Sequence, residues 1–149
     1  MLPEFFQFHN PTKVIYGQGL AQDFAHELMM LGAEKFFIVS DKVINDLGLI
    51  KKITDGLESE GIKITGNYTE VGQDAEITVV KAIAEQAKAT GAEGIIAVGG
   101  GSVIDAAKAA NIIFSVGGDL MEDFSGAHLL TEPINPFVVI PTTAGTGSE

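Results

Sequence analysis

Three short, uninterrupted apolar runs constrain this chain more than any other feature: Phe36-Phe37-Ile38-Val39, Ile95-Ile96-Ala97-Val98 and Phe137-Val138-Val139-Ile140. A strand with one wet face alternates apolar and polar residues. A run with no polar member belongs to a strand covered on both faces, the habit of parallel sheets flanked by helices. Between the runs, apolar residues recur at helical spacing: Leu20, Phe24, Leu28 and Leu31 before Gly32; Leu49, Ile50, Ile53 and Leu57 before Gly61; Ile77, Val80, Ile83, Ala84 and Ala87 before Gly91. Another helix is expected from about Ser102 to Phe114, broken by Gly117-Gly118, and Ile62–Thr65 alternates like a further strand. Strands alternating with helices imply βαβ units and a parallel sheet.

The expected fold is therefore α/β, a doubly wound, Rossmann-like sheet with helices on both faces and its ligand beyond the carboxyl ends of the strands. Phe6-Gln7-Phe8 and Val14-Ile15-Tyr16, separated by His9-Asn10-Pro11-Thr12, predict an N-terminal β-hairpin. Residues 118–135 read as a long, partly irregular connection. The 149 residues make one domain, 1–149, and 46% hydrophobic content is enough for a proper core. The chain stops on Gly145-Thr146-Gly147-Ser148-Glu149, straight after a strand-like run, which gives the expectation of a domain cut at its C-terminal edge.

A formal charge of −11 argues against partners that are themselves polyanionic, nucleic acids and anionic membrane surfaces among them. With no cysteine, disulfides, zinc–thiolate sites and thiol nucleophiles are excluded. No signal-peptide pattern opens the chain, and no apolar run approaches the ~20 residues that span a bilayer, so a cytoplasmic location is expected. His9, His26 and His128 have no metal-ligand spacing, and no catalytic triad or carboxylate pair stands out.

The strongest local motif is Val98-Gly99-Gly100-Gly101-Ser102 leading into a helix. Three glycines cost roughly 1 kcal/mol each in chain entropy relative to alanine, more than a simple turn requires. Glycine can take positive φ and let backbone approach a ligand, and the helix start offers unpaired N–H groups and the positive end of the dipole. Ser102 can cap that helix or donate to a phosphate oxygen. Together these make a diphosphate cradle. It is not a P-loop, because no Gly-Lys-Ser/Thr follows, and Ile104 stands where G-x-G-x-x-G needs its last glycine.

Other candidates cluster at strand ends. Asp41, just past the first apolar run, is either a ribose-binding carboxylate, which would repel a 2′-phosphate and favour NAD over NADP, or a helix N-cap. Asp105 either complements the helix dipole or faces cofactor and substrate. Pro141-Thr142-Thr143-Ala144-Gly145-Thr146-Gly147-Ser148-Glu149 offers several hydroxyl and amide donors after the third run.

These motifs resemble the iron-containing (group III) alcohol dehydrogenases across essentially the whole chain. The likeness begins at Pro11-Thr12-Lys13-Val14-Ile15-Tyr16-Gly17-Gln18-Gly19 and runs through Val39-Ser40-Asp41 and Gly99–Lys108 to Pro141–Glu149. The resemblance implies the nucleotide-binding half of an oxidoreductase that moves a hydride between an alcohol, aldehyde or ketone and NAD, with NADP as the alternative. It places Fe²⁺ or Zn²⁺ on an aspartate and three histidines of a helical domain beyond this chain, so the chain by itself is expected to be inactive.

By match to the family pattern, Asp41 would contact the adenosine ribose, and Gly99, Gly100, Gly101 and Ser102 would form the diphosphate turn. Thr142, Thr143 and Thr146 would line the adenine and diphosphate region, with Asp105 toward the nicotinamide. Asp74 departs from the pattern, standing where the family often has an asparagine that approaches the cofactor. No residue here is expected to be catalytic or to bind metal. A homo-oligomer acting on a small-molecule substrate is expected, without nucleic acid or membrane partners. Two readings compete: a dehydroquinate synthase-like NAD/metal lyase, and a stand-alone dinucleotide-binding module.

Overall fold

A computed structural model describes residues 11–74, 76–126 and 129–148. The four strands β1 (Lys35–Ser40), β2 (Lys63–Tyr68), β3 (Gly94–Gly99) and β4 (Phe137–Pro141) form one sheet in the order β2-β1-β3-β4, with every pair parallel. The helices are α1 (Ala25–Met30), α2 (Lys42–Asp46), α3 (Leu49–Ser59), α4 (Ile77–Ala89), α5 (Gly101–Val116) and α6 (Leu120–Asp123).

The apolar runs behave as expected for strands covered twice. In β1, Phe36 and Ile38 join one core with Leu28 of α1 and Ile53 and Leu57 of α3. Phe37 and Val39 point the other way, into a core with Ile83 and Ala84 of α4 and Ala106 and Ala107 of α5. Strand β3 splits likewise, Ile96 and Val98 to the first core and Ile95 and Ala97 to the second. Fully burying a side chain of this size contributes about 1.5–3 kcal/mol, so the two layers set the strand positions that carry the site.

The third run differs. Phe137–Ile140 are only half-buried, because β4 pairs with β3 alone among the described residues and so lies at the sheet edge. Beside it runs a groove of about 1010 Å³, lined by Thr12–Gly17, Phe24, Met30, Leu31, Lys108 and β4 itself.

Two other expectations are corrected. Val14–Tyr16 forms no strand, and Val14 and Tyr16 are 80% and 98% exposed. A strand exists through its ladder, and among the described residues this segment has none; Phe6–Phe8, the other arm of the expected hairpin, lies outside them. The helix expected over Leu20–Leu31 is broken into a 3-10 turn, Leu20–Gln22, and α1. The break puts the Gln22 carbonyl against α3 at Gly56, where an added Cβ would lie 2.2 Å from that oxygen. The described residues of 118–135 are irregular as expected, apart from α6.

Candidate functional site

The chain leaves β1, crosses to β2 on one side, then returns to β3 and β4 on the other. The strand order thus reverses between β1 and β3, the place where open α/β sheets open a crevice for ligands. Such a cleft is present there, about 390 Å³, walled by Asp41–Ile44 after β1, Val71–Gln73 after β2 and Gly100–Val103 after β3. Beneath it, the buried Ser40 hydroxyl donates to the Val98 carbonyl at 2.7 Å and ties the ends of β1 and β3 together.

Helix α5 brings its N-terminus into this cleft. The Ile104 amide returns to the Gly100 carbonyl at 3.1 Å, so the amides of Gly101, Ser102 and Val103 precede the first helical bond. The N-cap residue, Gly100, has no side chain to cap them. A 16-residue helix therefore presents its positive end and donor groups to the open space.

The reason for the glycines is space, not the expected positive φ. None of Gly99, Gly100 and Gly101 has positive φ, and Gly100 is extended at φ −85, ψ −171. A Cβ on Gly99 would stand 2.7 Å from Val103 Cβ, so this glycine lets α5 sit on β3 and does not reach the cleft. A Cβ on Gly100 would lie 3.3 Å from Thr143 Oγ1, and one on Gly101 3.3 Å from both Ser148 Oγ and Thr146 Cβ. The triple-glycine turn and the threonine loop after β4 are thus face to face. The Thr142 amide donates to the Gly99 carbonyl at 3.0 Å and holds the start of that loop.

Each remaining candidate has a definite place. Asp41 lines the cleft and also caps α2, its Oδ1 accepting from the Ile44 amide at 2.9 Å, as the N-cap reading expected. Ser102 does not cap α5; its hydroxyl donates to the Gln73 carbonyl. Asp74 and Asp105 are exposed and outside the cleft lining, Asp74 next to the Gln73 wall and Asp105 farther along α5. Thr142, Thr143 and Thr146 are exposed on the loop that covers the glycines.

The sequence reading missed the Val71–Gln73 wall because β2 was expected to end at Thr65, three residues before its observed end at Tyr68. It also missed Lys108, whose ammonium donates to the Ser148 carbonyl. A lysine on the same helix as the glycine turn was the available signal.

The groups with shifted protonation lie elsewhere. Glu93 is held below the usual carboxylate range, chiefly by the Glu34 amide and then by Lys35, at the amino ends of β1 and β3. The Lys81–Asp119 ion pair, 2.8 Å long, raises the lysine and lowers the aspartate where α4 meets the start of α6. Among the described residues, no group of three or more His, Cys, Asp or Glu could hold a metal. His26 is exposed; His9 and His128 lie outside the described residues. No described helix is long and apolar enough to cross a membrane.

The family profile of iron-containing alcohol dehydrogenases matches residues 11–149. The chain belongs to that family. Its relatives include a sulfoacetaldehyde reductase from Bilophila wadsworthia, 34% identical over 144 residues, a match that covers 97% of this chain and 37% of the relative. Among solved structures, the NADH-dependent butanol dehydrogenase A of Thermotoga maritima superposes with a TM-score of 0.84 at 30% identity, over 97% of this chain and 36% of that one. The sulfoacetaldehyde reductase of Bifidobacterium kashiwanohense, solved in complex with NAD+, gives 0.82 at 25% identity, over 99% and 38%. The chain thus spans a little over a third of the length of these oxidoreductases, as their N-terminal region.

Proposed function

We propose that this chain is the dinucleotide-binding part of a metal-dependent alcohol dehydrogenase that moves a hydride between NAD(P) and a small alcohol, aldehyde or ketone. The observation that carries the reading is the uncapped N-terminus of α5, opening into a cleft at the point where the strand order reverses. Free amides and a helix dipole bind an anion without any cationic side chain, which suits a polyanionic cofactor on an acidic protein.

The residues fit a dinucleotide. Gly101, Ser102 and Val103 offer amides to the diphosphate, and Gly100 keeps that approach free of side chain. Thr143 and Thr146 bring hydroxyls across the glycine turn, with Thr142 at the base of their loop. Asp41 has one carboxylate oxygen committed to the α2 cap and the other left for a ribose hydroxyl. Its negative charge disfavours a 2′-phosphate, so NAD is the expected cofactor and NADP the weaker one. Gly99 seats the helix. Asp74 lies at the rim, and Asp105 lies past the amides toward the nicotinamide side. Once bound, NAD supplies the hydride chemistry.

The family resemblance puts the metal ligands on residues outside this chain, and we keep that expectation for the whole enzyme. On this reading the 149-residue chain is expected to bind cofactor without turning over alcohols by itself. In the whole protein we place it in the cytoplasm as a homo-oligomer, acting on small molecules and not on nucleic acid or membrane. Calorimetric titration tests the cofactor reading. Heat from NAD+ with weaker heat from NADP+ is expected; folded protein silent with both at millimolar concentration would overturn it.

A further inference from the structure

Helix α5 directs two polar side chains sideways, and neither serves its own N-terminus. The Ser102 hydroxyl donates to the Gln73 carbonyl, in the Val71–Gln73 segment that forms one wall of the cleft. Farther along the helix, the Lys108 ammonium donates to the Ser148 carbonyl, at the far end of the loop that follows β4. The near end of that loop is already fixed by the Thr142 amide on the Gly99 carbonyl. Beyond Val71, which is buried in the second core, both walls are exposed at Gly72, Gln73 and residues 142–147. Gly145 and Gly147 sit at φ 75 and 79, in a stretch with much conformational freedom to lose.

The geometry points to Ser102 and Lys108 as positioning residues that fasten the two walls of the cleft to α5, leaving the backbone amides of Gly101, Ser102 and Val103 to take the diphosphate. The inference rests on the dinucleotide reading above and deepens it. It gives the Ser102 hydroxyl a different task from the one its place beside the glycines suggests. A serine hydroxyl has one hydrogen to give. Here the Gln73 carbonyl takes it, and the lone pairs that remain would face a phosphate oxygen unfavourably. Lys108 makes a charge-assisted bond to a neutral carbonyl, stronger than an amide would make in its place. It also acts where the loop meets the glycine turn, because Ser148 Oγ is one of the atoms 3.3 Å from a Cβ built on Gly101.

The test is amide hydrogen exchange by NMR on the ligand-free 149-residue chain, in wild type, S102A, S102T, K108M and K108R, together with titration of NAD+ and inorganic pyrophosphate. S102A should speed exchange at Val71, whose amide donates to the Ser40 carbonyl at 3.3 Å. K108M should speed exchange at Ser148, whose amide donates to Thr146 Oγ1 at 3.1 Å, while Thr142 and the β3 amides keep their protection. Threonine and arginine should restore the wild-type pattern. Affinity for NAD+ should fall about three- to tenfold in S102A and K108M and recover in S102T and K108R, the size expected for one hydrogen bond.

Unchanged exchange in folded S102A and K108M would overturn the proposal. So would loss of pyrophosphate binding in S102A with Val71 protection intact, which would return the hydroxyl to the phosphate. If wild type gives no heat with NAD+, the dinucleotide reading fails, and exchange still decides whether these side chains hold the walls.

Discussion

Replacing Gly101 by proline removes one candidate phosphate donor while leaving the helix able to form. Gly101 is the first residue of α5, the position where proline's fixed φ suits the helix and its missing N–H breaks no helical bond. The preceding Gly100, at φ −85 and ψ −171, already has the extended conformation that a residue before proline adopts. Any side chain here brings its Cβ to 3.3 Å from Ser148 Oγ and Thr146 Cβ, so the neighbours must give by a few tenths of an ångström. G101A carries the same Cβ but keeps the amide, and the comparison of G101P with G101A cancels that crowding. What remains is one backbone donor to a charged group, worth about 1.5–3 kcal/mol, or roughly a 10- to 150-fold weaker Kd at 1.4 kcal/mol per decade. Calorimetric titration of NAD+ at one fixed salt concentration reads the difference, and thermal melts establish that both variants are folded. If folded G101P binds NAD+ as tightly as G101A, the amides of this helix do not hold the cofactor.

Gly99→Ala should lower stability by about 1–3 kcal/mol, the cost of overpacking, because its Cβ would meet Val103 at 2.7 Å. Val103→Ala should relieve much of that cost, and additivity within about 0.5 kcal/mol in a denaturation cycle would contradict the packing argument. Asp41→Ala should cost about 0.5–2 kcal/mol as a lost cap, whereas Asp41→Ser keeps a capping oxygen and removes the charge. The serine variant should therefore stay near wild-type stability and shift the ratio of Kd values toward NADP+; an unchanged ratio would remove Asp41 from cofactor selection. The Lys81–Asp119 pair should give a stability difference between wild type and Asp119→Asn that is present at neutral pH. The folded aspartate titrates below its ordinary 3.8, so its contribution is complete above 3.8 and fades as pH falls through the lowered value. The lysine is raised above 10.5, so its share is complete below 10.5 and fades as pH rises past that. Melts across pH should show the gap closing at both ends, and a gap independent of pH would mean the ion pair contributes nothing.

How legible the site was in the sequence depends on which physical cause put each residue there. Strand burial was legible because covering both faces forbids polar residues, and Phe36–Val39 and Ile95–Val98 obey that rule residue by residue. Phe137–Ile140 obeys it too, yet these residues are only half-buried, because composition reports what could cover a strand and not whether the cover is present. The hairpin expectation met the same limit: Val14-Ile15-Tyr16 has strand propensity, but a ladder partner is a tertiary fact. The cap at Asp41 was readable, since an aspartate at a strand end just before a helix is placed to accept from that helix's first amides.

The triple glycine shows where letters and causes part. Its place in the fold followed from the sequence, but one of the two expected reasons, positive φ, is absent at all three positions. Space separates them instead: a Cβ on Gly99 would meet Val103 at 2.7 Å, whereas one on Gly100 or Gly101 would crowd Thr143, or Thr146 and Ser148, at 3.3 Å. For Gly100 and Gly101 the partners lie on the loop after β4, about forty residues away, so no local pattern announces them. Ser102 and Lys108 are the same case. Both stand inside the most readable motif of the chain, and their acceptors, the Gln73 and Ser148 carbonyls, are backbone atoms that any residue would supply. A side chain whose partner is a backbone carbonyl leaves no mark at the partner's position. Such positioning roles are therefore hidden from sequence reading even where the residue itself is conspicuous, and coordinates assign them first.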